Sequence, residues 1–230
     1  MRGLLIAIDA VDGSGKETQT RKLYDRLCED GYNIKKIQFP NYDSPSSSLI
    51  KMYLNGDFGK NANEISPYVA STFYAADRYA SFKTLWGDFY NEGGIILTDR
   101  YTTGNMVHQA SKIINKAEKK VFLNWLYDLE FNIYGIPKPD CVIFLDMPIN
   151  YTKELIKNRA NKINGLDNKD IHERDTSYLE ASYNNAVEIA QEYNWKRIEC
   201  VKDEKIRSIE DLHEEIYAYV VQMIKSSIKK

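Results

Sequence analysis

Cysteine is scarce in this chain. Cys28, Cys141 and Cys200 are odd in number and far apart, which argues against a disulfide framework and offers no metal-ligand spacing. They are expected to be small buried hydrophobes in a reduced compartment. Six prolines and twelve glycines exclude a collagen-like chain, and the 43% hydrophobic and 28% charged fractions exclude a wholly disordered one. A charge excess of either sign is also missing: 31 Lys and Arg face 33 Asp and Glu, for a net charge of -2. That balance lacks the basic surplus of a dedicated nucleic-acid binder, so no nucleic-acid partner is expected. Long apolar runs are lacking too. The N-terminal run Leu4 to Ile8 is too short to span a membrane and has no signal-peptide cleavage site after it, so the expected location is cytoplasmic, with no membrane partner.

What is present is an alternation of strand and helix signals over 230 residues, enough for one substantial core and read here as a single domain, 1–230. Gly3 to Asp9 has the uninterrupted apolar character of a strand buried on both faces, and a helix is expected from about Lys16 to Glu29, stopped by Gly31. Asn33 to Phe39 reads as a second strand. Ser44-Pro45-Ser46 opens a helix that Asn55-Gly56 breaks, and Ser66-Pro67 opens a longer one running through Tyr74, Arg78 and Trp86. Further strands are expected at Gly94 to Thr98, Asp140 to Asp146 and Trp195 to Val201. Two helices should fill about Thr102 to Gly135, and Asn150 can cap a helix reaching Arg159. Another helix should run from Asp175 to Tyr193, and a last one is opened by the capping box at Ser208. The polar segment Asn161 to Asp170 lacks apolar periodicity and is read as a loop, with about 159–174 as a candidate lid. The predicted class is α/β, a three-layer fold with a five-stranded parallel sheet flanked by helices and a binding crevice at the carboxyl ends of its strands.

The strongest local motif lies between the first strand and first helix: Val11, Asp12, Gly13, Ser14, Gly15, Lys16, Glu17 and Thr18. In that context backbone amides and a helix N-terminus can cradle phosphate oxygens while Lys16 neutralises them, as in an ATP-binding P-loop. A strict pattern wants Gly at Ala10 and Ser or Thr at Glu17. Without that hydroxyl, a magnesium ion must rely on Asp12, Glu173, water and the nucleotide. Arg78 and Arg100 supply planar, forked cations suited to bidentate phosphate binding, although an Asp-Arg pair such as Asp99-Arg100 can equally be a structural ion pair. Tyr74 sits one helical turn before Arg78, on the same side of its helix.

Further motifs follow in order: Phe39-Pro40-Asn41-Tyr42, Leu54-Asn55-Gly56-Asp57-Phe58-Gly59, Tyr74-Ala75-Ala76-Asp77-Arg78, Asp99-Arg100-Tyr101, Pro139 to Asp146, and Glu173-Arg174-Asp175. Together with Val11 to Lys16 these stretches resemble the thymidylate kinase family over essentially the whole chain. The resemblance implies a P-loop kinase that transfers the γ-phosphoryl group of ATP to dTMP with magnesium, giving dTDP for dTTP synthesis, and that forms a homodimer. It implies that Asp12, Phe39, Tyr42, Tyr74, Arg78, Arg100, Asn105 and His108 hold dTMP. Tyr74 would stack on the base and Asn105 bond its edge, while His108 stands where the family commonly has a Tyr against the sugar. Gly13 occupies a position where some members carry Arg, so a lid cation, with Arg159 favoured over Lys162, Lys169 and Arg174, is expected to join Lys16, Asp12 and Arg100 in catalysis. Asp99 is expected to orient a neighbouring cation. Two alternatives stand beside this: another deoxynucleotide or deoxynucleoside kinase, in which Asp12 would serve as base, and a catalytically silent nucleotide-binding module, suggested by Ala10 and Glu17.

Overall fold

The computed structural model describes residues 2–156 and 176–228. Five parallel strands form its main sheet: β1 (Leu4–Asp9), β2 (Ile34–Gln38), β3 (Ile95–Asp99), β4 (Cys141–Asp146) and β5 (Lys196–Glu199), in the spatial order β2-β3-β1-β4-β5. The side-chain period of two explains why the central strand is apolar throughout. Ile6 and Ile8 face one layer, packing with Leu23 and Leu27 of α1 (Lys16–Glu29) and with Ile216, Val220 and Ile224 of the C-terminal helix Ile209–Ile228. Leu5 and Ala7 face the other, against Trp86, Tyr90 and Tyr101. Both faces of the sheet are thereby covered, as the sequence predicted.

Helix α2 (Ser48–Asn55) follows a short 3-10 turn, and α3 (Pro67–Ser81) begins at Ser66, whose side chain accepts from Tyr68 N. A π-helical turn, Phe82–Trp86, leads into α4 (Gly87–Asn91). Beyond β3 the expected pair of helices is broken into shorter pieces: α5 (Thr102–Gly104), a π-helical stretch Asn105–Gln109, a 3-10 turn, then α6 (Lys116–Tyr127) continuing into a π-helical end, Asp128–Ile133. Apolar spacing does not distinguish these windings from an α-helix, and π turns often mark functional positions.

Asn150 does not cap the next helix. Helix α7 (Ile149–Ile156) starts two residues earlier than an Asn150 cap would place it, directly after Pro148, whose carbonyl accepts from Tyr151 N at 3.0 Å. The proposed loop Asn161 to Asp170, the lid at about 159–174 and the expected helix end at Arg159 lie outside the described residues. Helix α8 (Thr176–Glu192) and α9 (Ile209–Ile228) complete the layers, and Ser208 Oγ accepts from Asp211 N at 3.1 Å. Between β5 and α9 the sequence reading missed a small hairpin, β6 (Val201–Lys202) with β7 (Lys205–Ile206). Its turn residues Asp203 and Glu204 both have positive φ, at 49° and 59°, without the glycine that usually marks such a turn.

The register fixes where the chemistry can gather. Ile8 lies beside Asp99 across β1 and β3, and Arg100 N donates to Ile8 O at 2.9 Å. The loop after β1 and the residues ending β3 therefore emerge side by side, at the point in the sheet where successive connections leave in opposite directions.

Candidate active site

A cavity of about 340 Å³ opens at that point. All eight residues from Val11 to Thr18 line it, together with Phe39, Tyr42, Tyr74, Arg78, Arg100, Asn105 and His108. The loop conformation rests on Gly13 at φ 79° and Gly15 at φ 80°, a left-handed region that a side chain disfavours. Gly15 precedes α1 without giving it a side-chain cap, so the first-turn amides of a 14-residue helix have no such acceptor at the cavity wall. Ala10 is fully buried and is not among the residues of positive φ, so the missing glycine there does not prevent the loop from forming. Glu17 is exposed at the cavity edge.

Each described cation of the cavity is bonded to a carboxylate. Lys16 Nζ, nearly buried on α1, donates to Asp99 Oδ1 at the end of β3. Burial pulls the Lys16 pKa down, and Asp99 opposes that pull. Arg100 Nη2 donates to Asp12 Oδ1 at 2.6 Å and to Ala10 O at 3.4 Å. Burial would lower the Arg100 pKa, yet the carboxylates of Asp12, Asp9 and Asp99 outweigh it and raise it further. Arg100 also sits at φ 62°, a strained setting for an arginine, held by the bond from its amide to Ile8 and by Thr98 Oγ1 donating to its carbonyl at 2.5 Å. Asp9, at the end of β1, is fully buried, and its carboxyl pKa is raised by burial.

Arg78, expected to be a forked phosphate ligand, lines the cavity but is only 2% exposed, with most of its guanidinium bonded within the protein. Its Nε donates to Glu130 Oε2 at 2.6 Å, its Nη2 to Glu130 Oε1 at 2.5 Å, and its Nη1 to Tyr101 O at 3.2 Å. The sequence reading missed Glu130. A carboxylate between Leu129 and Phe131 hints at burial and hence at a cationic partner, but nothing local names a residue 52 positions away.

The remaining wall is aromatic and amide-bearing. Phe39 packs against Tyr101 with ring centroids 5.9 Å apart, and the Phe39-Pro40 peptide is cis. Tyr74 is half-buried and meets Tyr53 edge-on. Asn105 Nδ2 donates to Ser71 O of α3 at 3.2 Å, so its amide is already fixed by the neighbouring helix. His108 is buried and stacks on Tyr178 at 6.4 Å. Tyr42 is partly exposed on the loop after β2, which Asp77 anchors by accepting from Asn41 N at 2.8 Å and Ser46 Oγ at 2.5 Å. Gln38, Pro40, Leu54, Tyr101, Gln109 and Leu155 also line the cavity and were not singled out as site residues by sequence. Arg159, Lys162, Lys169, Glu173 and Arg174 lie outside the described residues.

Among the described residues no group of three His, Cys, Asp or Glu side chains could hold a metal ion. The loop offers the carboxylates of Asp12 and Glu17 at the cavity. That sparse donor set suits magnesium, which keeps waters and is commonly held by one or two carboxylates plus substrate phosphates. No helix among the described residues is long and apolar enough to cross a membrane.

Comparison with known proteins gives a consistent result. A family model described as thymidylate kinase matches residues 8–216. The chain is 30% identical over 173 residues to thymidylate kinase of Mycobacterium tuberculosis, covering 75% of this chain and 78% of that protein. It is 24% identical to human thymidylate kinase over 229 residues, covering 100% and 95% of the two chains. Among solved structures, thymidylate kinase from Candida albicans superposes with a TM-score of 0.68 at 20% identity, over 96% of this chain and 92% of that one. That likeness agrees in fold.

Proposed function

The chain belongs to the thymidylate kinase family, and from that premise we propose how this cavity carries out the reaction. The enzyme transfers the γ-phosphoryl group of ATP to dTMP, giving dTDP and ADP. One observation carries the assignment of the site: the Val11 to Thr18 loop and the candidate acceptor residues Tyr42, Tyr74, Arg78, Arg100 and Asn105 line a single cavity. Donor and acceptor can thus meet without an intermediate carrier.

In this reading the ATP phosphates lie on the amides of Gly13 to Thr18, at the uncapped start of α1, with Lys16 moving from Asp99 onto them. Arg100 spans the two halves. It holds Asp12 on the loop, and its cation is placed to meet the charge spread over the transferring group. The acceptor phosphate is already anionic, so no side chain need remove a proton. Phe39 and Tyr42 border the acceptor from the loop after β2, Tyr74 offers its ring to the base, and Asn105 and His108 flank it from the π-helical turn. Magnesium, entering with ATP, would be held by Asp12 with Glu173 and would supply further neutralisation of phosphate charge. A lid at about 159–174, with Arg159 as its cation, would close over the phosphates and exclude water from them. We place the enzyme in the cytoplasm as a homodimer of single-domain chains. Pairing is supported by apolar side chains that stand exposed on α3 and α6, among them Val69 and Val121.

The nucleoside-kinase alternative is weakened by Asp12, whose Oδ1 accepts from Arg100. A carboxylate held by a guanidinium is a poor base. Binding separates the two roles of the cavity. Tyr74→Ala and Asn105→Ala should each weaken dTMP at least about tenfold by calorimetry while ATP affinity stays near that of the unsubstituted enzyme, as expected when a stacking or hydrogen-bonding contact is lost. Equal weakening of both nucleotides, or no change for dTMP, would remove these residues from the acceptor site.

A further inference from the structure

We propose that Glu130 is a positioning residue for the acceptor site: it holds the Arg78 guanidinium in the orientation that presents its remaining N–H groups to the cavity. The proposal rests on the assignment of dTMP to this cavity. Glu130 is fully buried, lies on the π-helical end of α6, and is not part of the cavity wall, whereas Arg78 on α3 is. Both Glu130 oxygens are engaged, one by Nε at 2.6 Å and one by Nη2 at 2.5 Å, the side-on fork that fixes the guanidinium plane. Tyr101 O takes a third N–H, through Nη1 at 3.2 Å. Of the five guanidinium hydrogens, one on Nη1 and one on Nη2 remain.

The support is itself anchored. Ile136 N donates to Glu130 O at 3.1 Å, and Tyr101, whose carbonyl takes the third bond, donates its hydroxyl to Pro137 O at 2.9 Å. The chain from the end of α6 to Pro137 therefore sets both acceptors of Arg78. A buried ion pair carries no net charge, so what Arg78 contributes to the acceptor is direction more than long-range attraction. An unpaired guanidinium at this depth would face a large desolvation cost and would turn toward any other acceptor.

Glu130→Asp tests the geometry without changing the charge. The carboxylate withdraws by one methylene, so the fork loses a bond or draws the guanidinium with it. The Michaelis constant for dTMP is expected to rise about tenfold while that for ATP stays within about twofold, the signature of an acceptor-side interaction. In an Arg78→Gln background the same substitution should leave the dTMP constant unchanged, because there is no guanidinium left to orient. Glu130→Gln keeps the shape, drops the charge, and should also affect dTMP alone. Thermal unfolding and ATP binding monitor folding in every variant. Parallel rises for both substrates, an unchanged dTMP constant, or a Glu130→Asp effect that persists without Arg78 would each overturn the positioning role. Absent dTMP turnover by the unsubstituted enzyme would instead overturn the acceptor assignment, and the inference with it.

Discussion

At the scale of single residues, the site is a set of charges matched in advance. Lys16 has Asp99, Arg100 has Asp12, and Arg78 has Glu130. Lys16 and Arg78 are buried and would be costly unpaired, so their carboxylates make it possible to keep them in the fold before nucleotide arrives. Asp99 illustrates the consequence. Asp99→Asn removes the charge that holds Lys16 at the end of β3, and a displaced Lys16 should lower kcat by about 100-fold with the dTMP Michaelis constant little changed. Steady-state kinetics with dTMP varied at saturating ATP would check this; an unchanged kcat would count against it. Lys112 is a second case, away from the cavity. Its Nζ donates to Tyr53 OH at 2.9 Å and Ile65 O at 3.3 Å, and burial depresses its pKa to about 7. Between pH 7 and 10.5 the unfolded chain holds a proton at this site that the folded chain lacks, so stability rises with pH across that window. Below it both states are protonated and the cost of the buried charge is constant. The stability of the unsubstituted protein minus that of Lys112→Met should therefore climb from pH 7 to 10, by at most about 1.4 kcal/mol per pH unit. A flat difference in urea titrations would show that Lys112 stays charged in the fold.

At the scale of elements, neighbouring residues on α3 serve different parts of the proposed acceptor wall. Arg78 reaches Glu130 and the cavity, while Asp77, fully buried, ties down the loop that carries Phe39 and Tyr42. Asp77→Ala removes the acceptor of the Asn41 amide, at a cost of about 1–3 kcal/mol, while the Ser46 hydroxyl keeps Ser44 Oγ at 2.7 Å. The Asn41 amide should then exchange with solvent much faster, and the dTMP Michaelis constant should rise; retained protection at Asn41 would contradict the anchor. Much of this architecture could be read from the sequence. Leu4 to Ile8 announced a doubly buried strand, the Ser66-Pro67 start of α3 was plain, and Val11 to Thr18 stood where a phosphate loop must. Three features were hidden for physical reasons. The π-helical turns after β3 and at the end of α6 share the apolar spacing of an α-helix. The β6-β7 hairpin turns at Asp203-Glu204 without glycine. Glu130 and Asp77 act through tertiary pairs whose partners are distant in the chain, and local patterns carry no distance information.

At the scale of the whole molecule, the parallel order β2-β3-β1-β4-β5 puts the loop after β1 beside the residues that end β3, and the segments after β2 and β3, with Leu155 of α7, line the rest of the cavity. The residues proposed to hold donor and acceptor, separated by nearly a hundred positions, thus converge because the sheet brings their strands together. That convergence makes phosphoryl transfer between two nucleotides possible, and one measurement tests it most directly. With ATP and magnesium, formation of ADP and of each diphosphate would be followed for dTMP, dUMP, dCMP, dGMP and thymidine, using the unsubstituted enzyme and Lys16→Ala. The expected result is preferential dTDP formation, with dUMP within about 10–200-fold because a single methyl group separates the two, and a loss of at least about 100-fold in Lys16→Ala. Turnover of thymidine in preference to dTMP, or dTDP formation that survives Lys16→Ala, would contradict the account.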